Sequence, residues 1–307
     1  MYGTGPLGAG LRRKITAPEL RARKVSAGFL AEPIVMVTAY DFTMARLMDE
    51  GGVDAILVGD SLGMVVQGQP NTLSVTLEEI AYHARAVGRA AQHAHVVGDM
   101  PFMSYQVSPE RALESAGRLV KEGGVESVKL EGGEELAEHV RKIVRAGVPV
   151  MGHVGLLPQS VHAMGGFKVQ GRGEQAADRI IRDARALEEA GAFAIVIEGV
   201  PPDVGDAVTK AVSVPTIGIG AGPSCDGQVL VSTDLLGLSL GPSPKFVKRF
   251  AELGQAVVGA VAEYTRQVRA HEFPAAEHTY KPNQPRESGQ TLVETNVVPL
   301  SAARRNG

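Results

Sequence analysis

The chain has 307 residues and a formal net charge of −3, with 44% hydrophobic and 21% charged residues. This length accommodates one large domain or two modest ones, and the hydrophobic fraction supports a sizeable core. The balanced charge excludes the basic surplus of a nucleic-acid-binding protein and the charge blocks that bind polyelectrolytes.

Cysteine usage and apolar patterning bear on the compartment. The single cysteine, Cys225, excludes an intramolecular disulfide and favours a reducing compartment. No apolar run approaches the roughly 20 residues that span a bilayer, and the N-terminus lacks the apolar core of a secretory signal. The segment "LRRKIT" is basic and no acid precedes Glu19, which leaves a transit peptide as the alternative. We expect a cytoplasmic protein with no membrane partner.

Short elements follow one another from the N-terminus. Residues 1–13 are expected to form a mobile tail, and "TAPELRARK" predicts a short helix capped by Thr16 with Pro18 in its first turn. Eight runs rich in Val and Ile, without polar alternation, then predict strands that are covered on both faces. These runs are "PIVMVTAY", "VDAILVG", "HVVGDM", "ESVKLEG", "VPVMGHVG", "AFAIVIEG", "VPTIGIGAG" and "GQVLVSTDLLG". Amphipathic segments separate most of them.

Eight strands with intervening helices predict a (β/α)₈ barrel, a single catalytic domain over residues 14–271. An open doubly wound sheet is the alternative, but the first strand-to-helix turn carries no Gly-rich dinucleotide loop. "GIGAG" at 218–222 is interpreted as a strand-end turn, with a phosphate loop as the alternative. After residue 240, the pattern predicts one or two amphipathic helices that close the barrel or meet a neighbouring subunit. The polar segment 272–307 is expected to be disordered.

Four of the predicted strands have an acidic residue at their C-terminal end. These residues are Asp60, Asp99, Glu131 and Glu198. In a barrel these ends open into one mouth, so Asp60, Asp99 and Glu131 are expected to converge. Buried carboxylates repel one another, which favours a neutralising cation. Oxygen ligands favour Mg²⁺. The alternative is that each acid caps a helix or pairs with an Arg.

Neighbouring residues have two interpretations each. Ser61 holds a substrate carboxylate or caps a helix. Lys129 lies on the same strand face as Glu131, and it binds an anionic substrate or pairs with Glu131 alone. His153 lies at the end of the fifth predicted strand. It is either a functional residue of the site or a structural residue held by hydrogen bonds. Glu198 is a further metal ligand or a separate general base.

Several motifs, taken together and in order, resemble the ketopantoate hydroxymethyltransferase family over roughly residues 14–270. They are "VTAYD", "VGDSLGMVVQG", "VVGDMPF", "VKLEGG", "MGHVGLLPQ", "GGFKVQG", "IVIEGVP" and "IGIGAGPSCDGQVLV". The resemblance implies a TIM barrel of the phosphoenolpyruvate/pyruvate superfamily. It implies transfer of a hydroxymethyl unit from 5,10-methylenetetrahydrofolate to 3-methyl-2-oxobutanoate, giving 2-dehydropantoate, the first committed step of pantothenate and coenzyme A biosynthesis.

The same resemblance implies roles for the strand-end residues. The implied Mg²⁺ ligands are Asp60, Asp99 and Glu131. The implied oxoacid contacts are Asp60, Ser61, Asp99 and Lys129, with His153 lining the site. Glu198 would accept the C3 proton during a Mg²⁺-assisted enolisation. Family members form large homo-oligomers, often decamers, which is the expectation here.

Two other functions stay open at this point. One is a Mg²⁺-dependent C–C lyase or mutase of the same superfamily. Lyases of that group carry a catalytic cysteine in a Lys-Cys-Gly loop, which this chain lacks. The other is a non-catalytic oxoacid-binding barrel. A binder has no need of a base such as Glu198, so the acid set favours the enzyme.

Overall fold

The computed structural model of the chain describes residues 13–24, 32–239, 241 and 243–281. Most of the predicted N-terminal tail (1–12) and most of the predicted C-terminal tail (282–307) lie outside the described residues. The chain divides into two compact units, with the boundary between Ala256 and Val257. The domain limits expected at residues 14 and 271 stay predictions.

Eight parallel strands form a closed barrel in sequence order, each paired with the next and β8 paired with β1. The strands are β1 Ile34–Thr38, β2 Ala55–Val58, β3 His95–Asp99, β4 Ser127–Glu131, β5 Val150–Gly155, β6 Ala194–Glu198, β7 Thr216–Ile219 and β8 Gly227–Leu230. The predicted (β/α)₈ barrel is therefore confirmed, and the open doubly wound sheet is excluded.

Helices connect most of the strands. They are α1 Ala17–Arg21, α2 Phe42–Glu50, α3 Leu62–Val65, α4 Leu77–Ala90, α5 Pro109–Arg118, α6 Ala137–Arg145, α7 Glu174–Glu189, α8 Pro202–Ala211, α9 Ser232–Leu235 and α10 Leu253–Arg269. A π-helical turn, Leu119–Gly123, extends α5. Short 3₁₀ turns cover Glu134–Leu136, Pro158–Ser160 and Ala276–His278. Among the described residues, no helix is both long enough and apolar enough to cross a membrane.

Alternation along the strands determines which side chains enter the barrel. One buried cluster fills the interior and includes Met36, Leu57, Val97, Met151 and Val196. A larger cluster packs the outer strand faces against the helices. Because strand side chains alternate, the residues two positions after Val97, Met151 and Val196 also face the interior. These residues are Asp99, His153 and Glu198, at the C-terminal end of the barrel.

The N-terminal segment packs at the opposite end of the barrel. The predicted helix is confirmed as α1, where Glu19 accepts hydrogen bonds from the backbone N–H and the hydroxyl of Thr16. Leu20 is fully buried within the interior cluster. Lys14 Nζ donates to the carbonyls of Ala91 and Ala94, at 3.0 and 2.7 Å. This segment therefore closes the base of the barrel.

Two later predictions concern the C-terminal third of the chain. β7 ends at Ile219, and the chain then turns with positive φ at Gly220 and Gly222, as the strand-end interpretation of "GIGAG" predicted. The amphipathic segment after residue 240 forms α10, none of whose residues is buried. In the C-terminal unit, Arg266 pairs with Glu263 and Glu272.

Candidate active site

The predicted site residues all lie at the C-terminal ends of β2 to β6. Asp60 and Ser61 follow β2. Asp99, Glu131 and Glu198 are the last residues of β3, β4 and β6, and Lys129 and His153 lie two residues before the ends of β4 and β5. Asp99 is in register with Lys129 across β3 and β4, and Glu131 is in register with His153 across β4 and β5. The buried members are Asp60, Asp99, Lys129, Glu131 and His153. Ser61 and Glu198 are partly exposed. Strand pairing therefore brings the whole predicted set into one mouth.

Lys129 lies at the centre of the mouth. Its Nζ is 2.9 Å from Asp99 Oδ1, 3.9 Å from Glu131 Oε1 and 3.2 Å from His153 Nδ1. Burial acts to lower the pKa of Lys129, but the charges of Asp99, Glu131 and Asp60 outweigh it and raise that pKa above its usual range. Lys129 is thus a fixed buried cation, paired with two carboxylates.

His153 connects Glu131 with Glu198. Its Nδ1 is 3.5 Å from Glu131 Oε1, and its Nε2 is 3.2 Å from Glu198 Oε2. Burial and the Lys129 charge act to lower the pKa of His153, but the two carboxylates outweigh them and raise it to about 9. The ring thus lies between two carboxylates, and its Nε2 holds the Glu198 carboxylate at the rim of the mouth.

The pKa values of the three inner carboxylates shift in different directions. Burial, together with the charges of Asp99 and Glu131, raises the pKa of Asp60 well above its usual value. Burial also raises the pKa of Asp99, although Lys129 opposes the shift. Burial acts to raise the pKa of Glu131 too, but bonding to His153, with the charges of His153 and Lys129, lowers it. The mouth thus carries more buried acid than its own cations neutralise.

Gln159 is a site residue that the sequence reasoning missed. Its Nε2 donates to Asp60 Oδ2 at 2.9 Å, and its backbone N–H donates to Glu131 Oε2 at 2.9 Å. The Tyr105 hydroxyl lies 2.8 Å from Gln159 Oε1 and accepts from the Glu131 backbone N–H at 3.0 Å. The available signal was a Gln directly after Pro158 in the loop that follows β5, the strand that carries His153. That pattern does not indicate which residues Gln159 binds.

Ser61 and Asp41, which follow β2 and β1, differ in whether they cap a helix. The Ser61 hydroxyl lies 2.8 Å from the Tyr40 hydroxyl and caps no backbone N–H of α3. Capping by the Ser61 side chain is therefore not realised. Asp41, by contrast, accepts from the Met44 backbone N–H at 2.8 Å and caps α2.

The carboxylate oxygens in the mouth are the kind of ligand atom that a hard divalent cation binds. Asp60, Asp99 and Glu131 supply only oxygen atoms, and burial, followed by the neighbouring carboxylates, raises the pKa of both aspartates. As the side chains lie, however, no group of three or more His, Cys, Asp or Glu residues within the described parts of the chain is arranged to hold a metal ion. Lys129 and Gln159 occupy several of the carboxylate oxygens instead. The three-carboxylate ligand set stays a prediction.

Sequence comparison reveals close relatives. The model of the family described as ketopantoate hydroxymethyltransferase matches residues 14–276. The chain is 54% identical over 270 residues to 3-methyl-2-oxobutanoate hydroxymethyltransferase of Pelobacter propionicus, covering 88% of this chain and 98% of the relative. It is 56% identical over 273 residues to the enzyme of the same name from Anaeromyxobacter sp. strain Fw109-5, covering 88% of each.

Structural comparison finds solved proteins with the same fold. Phosphonopyruvate hydrolase, solved in complex with oxalate and Mg²⁺, superposes with a TM-score of 0.56 at 17% identity, covering 86% of this chain and 93% of the other. A 2,3-dimethylmalate lyase, a member of the PEP mutase/isocitrate lyase superfamily, superposes with a TM-score of 0.54 at 19% identity, covering 87% and 91%. At these identities the likeness shows a shared barrel fold.

Proposed function

The chain belongs to the ketopantoate hydroxymethyltransferase family, and we propose that its strand-end mouth transfers a hydroxymethyl unit from 5,10-methylenetetrahydrofolate to 3-methyl-2-oxobutanoate. The products are 2-dehydropantoate and tetrahydrofolate, and one water is consumed. The family match and relatives of 54–56% identity make the chain a hydroxymethyltransferase of pantothenate biosynthesis. What most strongly supports this use of the mouth is the convergence of three acids, one lysine and one histidine in a single buried cluster.

Mg²⁺ is the cation that we propose for the mouth. Asp60 and Asp99 would hold it, with Glu131 as the third acid. Their oxygen-only donor set and the burial of all three acids beside a single lysine both support this assignment. When bound, Mg²⁺ would supply Lewis acidity that polarises the keto group and makes the C3–H bond of the oxoacid more acidic.

Lys129 and Ser61 are the proposed contacts for the oxoacid. Lys129 is a buried cation, so it can bind the substrate carboxylate or a keto oxygen where little water competes. Its present pairing with Asp99 at 2.9 Å holds the ammonium group in place before the substrate arrives. Ser61 adds a hydroxyl that Tyr40 orients. Both groups would lower the entropic cost of positioning the oxoacid.

Glu198 is the proposed base for the C3 proton. Its carboxylate lies at the rim and is 18% exposed, and His153 Nε2 orients it from 3.2 Å. Water hydrolyses the methylene bridge of the folate, both C–N bonds break, and formaldehyde and tetrahydrofolate result. The C3 proton moves to a Glu198 oxygen, and the electron pair left on the substrate forms the new C–C bond to the formaldehyde carbon. The formaldehyde oxygen takes up a proton and becomes the new hydroxyl group. Lys129 keeps a positive charge beside this developing negative charge.

The alternative activities receive less support. The lyase and hydrolase structures that share the barrel are 17–19% identical to this chain, against 54–56% for the hydroxymethyltransferases. A non-catalytic oxoacid-binding barrel would not require the His153–Glu198 pair.

We also propose that the protein is a homo-oligomer, as the family resemblance implies, with a decamer as the expected form. The cytoplasmic location stays a prediction.

Exchange of the C3 hydrogen of 3-methyl-2-oxobutanoate tests the enolisation half of this function without folate. The oxoacid in D₂O is followed by proton NMR with and without Mg²⁺. We expect Mg²⁺-dependent exchange that Asp60→Asn abolishes. Asp41→Asn is the matched control, because Asp41 follows the neighbouring strand β1 but caps α2. Exchange in the Asp60→Asn protein equal to wild type would refute the role of the mouth.

A further inference from the structure

A cleft of about 350 Å³ opens beside the mouth, between the loops that follow β3, β4 and β5. This volume lies within the range of about 300–1,000 Å³ that holds small molecules. The inner wall of this side cleft includes Glu131 and Gln159, which belong to the mouth itself. The rest of its wall includes Phe102, Gln106, Glu135, Leu136, His139 and Leu157.

Three polar atoms in the wall of the side cleft have no partner. Both ring nitrogens of His139 and Oε1 of Gln106 are buried, and none of them makes a hydrogen bond to any described residue. Burial lowers the pKa of His139, so its ring is neutral at physiological pH and offers one donor and one acceptor. Buried polar atoms are almost always paired, so this set indicates a missing ligand or water.

The charge of the side cleft selects the kind of ligand. Its lining contains the carboxylates of Glu131 and Glu135 and no Lys or Arg. Anionic groups, such as the oxoacid or the glutamate tail of a folate, are therefore disfavoured there. A neutral ring that presents N–H donors fits instead, with apolar faces to contact Phe102 and Leu157.

We propose that the side cleft binds the pterin ring of the folate, which deepens the proposed function and rests on it. The pterin carries adjacent donors, its 2-amino group and N3–H, that match the two oxygens of the Glu135 carboxylate. His139 and Gln106 pair with the remaining polar atoms of the ring, and Phe102 stacks on its face. Because Gln159 lines the side cleft and also bonds to Asp60, a pterin there lies one side chain away from the acid cluster.

Binding of tetrahydrofolate to the full chain tests this site without turnover. Isothermal titration under anaerobic conditions would compare wild type with Glu135→Gln. The control is Glu134→Gln, because Glu134 is an exposed neighbour that does not line the side cleft. We expect Glu135→Gln to raise the Kd by about tenfold or more, the usual cost of a lost charged hydrogen bond, and the control to bind as wild type does. The KM for the folate should rise in parallel, whereas the KM for the oxoacid should stay unchanged.

His139→Leu separates ligand binding from a structural role. The substitution removes two unpartnered buried nitrogens, so we expect a higher melting temperature together with weaker tetrahydrofolate binding. A histidine with only a structural role would not give that combination. Wild-type affinity in both Glu135→Gln and His139→Leu would overturn the proposal, as would a wild type that binds no tetrahydrofolate.

The two proposals can fail separately. If the wild type exchanges the C3 hydrogen but its tetrahydrofolate binding is insensitive to Glu135, the side cleft is not the pterin site and the function stands. If binding depends on Glu135 but no C3 exchange occurs with Mg²⁺, the side cleft stands and the enolisation mechanism falls.

Discussion

Gln159 holds Asp60 from 99 positions further along the chain, with its Nε2 2.9 Å from Asp60 Oδ2. The same amide nitrogen donates to the Met100 carbonyl at 3.0 Å, and its oxygen lies 2.8 Å from the Tyr105 hydroxyl. All three bonds fix the orientation of the amide. Since its backbone N–H also binds Glu131, this one residue positions two of the three predicted metal ligands.

Gln159→Met keeps the length of the side chain and removes these three bonds of its amide group, while the backbone N–H bond to Glu131 remains. We expect the affinity for Mg²⁺ to fall by about 10- to 100-fold, the usual effect of losing a group that orients a metal ligand. Isothermal titration with Mg²⁺ measures it, and the Mg²⁺ dependence of C3 hydrogen exchange provides an independent check. Gln170→Met is the control, because the Gln170 side chain donates to the nearby carbonyl of Lys168 and to no other residue that the structure describes. Unchanged Mg²⁺ affinity in Gln159→Met would show that Asp60 needs no such support.

Glu198→Gln tests the base without a change of size. We expect kcat to fall by about 10²- to 10⁴-fold, since an amide cannot accept the C3 proton. The KM for the oxoacid should stay close to wild type, because Lys129 and Asp99 keep their ion pair. Steady-state kinetics would compare this variant with Glu189→Gln, an exposed acid at the end of α7. Full turnover in Glu198→Gln would assign the proton transfer to another group.

Parts of the site could be predicted because the C-terminal ends of all the strands of a barrel lie around the same mouth. Asp99 ends β3 and is in register with Lys129 of β4, so a correct strand assignment was enough to place them together. The same holds for Glu131 and His153. The strands could be identified from the sequence because buried parallel strands are continuous apolar runs. A single acid or lysine stands out in such a run.

Other parts depend on how loops pack, which local patterns do not encode. Gln159 and Tyr105 lie outside the strands, and their partners are distant in sequence. The side cleft likewise arises from three separate loops, so no single segment indicates it. The base of the barrel shows the same limit, because the helix pattern of α1 was readable but the burial of Leu20 within the barrel interior was not.

Leu20→Ala tests the base of the barrel. Leu20 is fully buried, so its truncation should lower the free energy of unfolding by about 2–5 kcal/mol. Because α1 packs at the end opposite the mouth, kcat and both KM values should stay unchanged at temperatures where the protein is folded. Chemical denaturation measures the loss, with Leu47→Ala as the control, since Leu47 is 55% exposed on α2. A changed KM in Leu20→Ala would mean that the base and the mouth are coupled.

His95 should make stability depend on pH. Burial lowers its pKa below the usual value, although Glu126 and the Ile15 carbonyl oppose the shift. The unfolded chain therefore binds a proton at a higher pH than the folded chain does. The stability that neutral His95 contributes is fully present above the unfolded pKa of about 6.5, and it is lost as the pH falls below that value.

The loss attributable to His95 cannot exceed about 1.4 kcal/mol per pH unit, the limit for a single proton. Urea denaturation between about pH 5.5 and 7.5, on either side of the ordinary His pKa, would compare wild type with His95→Gln. We expect a shallower pH dependence in the variant, because Gln cannot titrate but can still bond to Ser127, which lies 2.8 Å from His95 Nε2. His139→Gln is the control for a second histidine whose pKa is lowered by burial. If His95→Gln keeps the full wild-type slope, other groups titrate in this range and His95 stays neutral in both states.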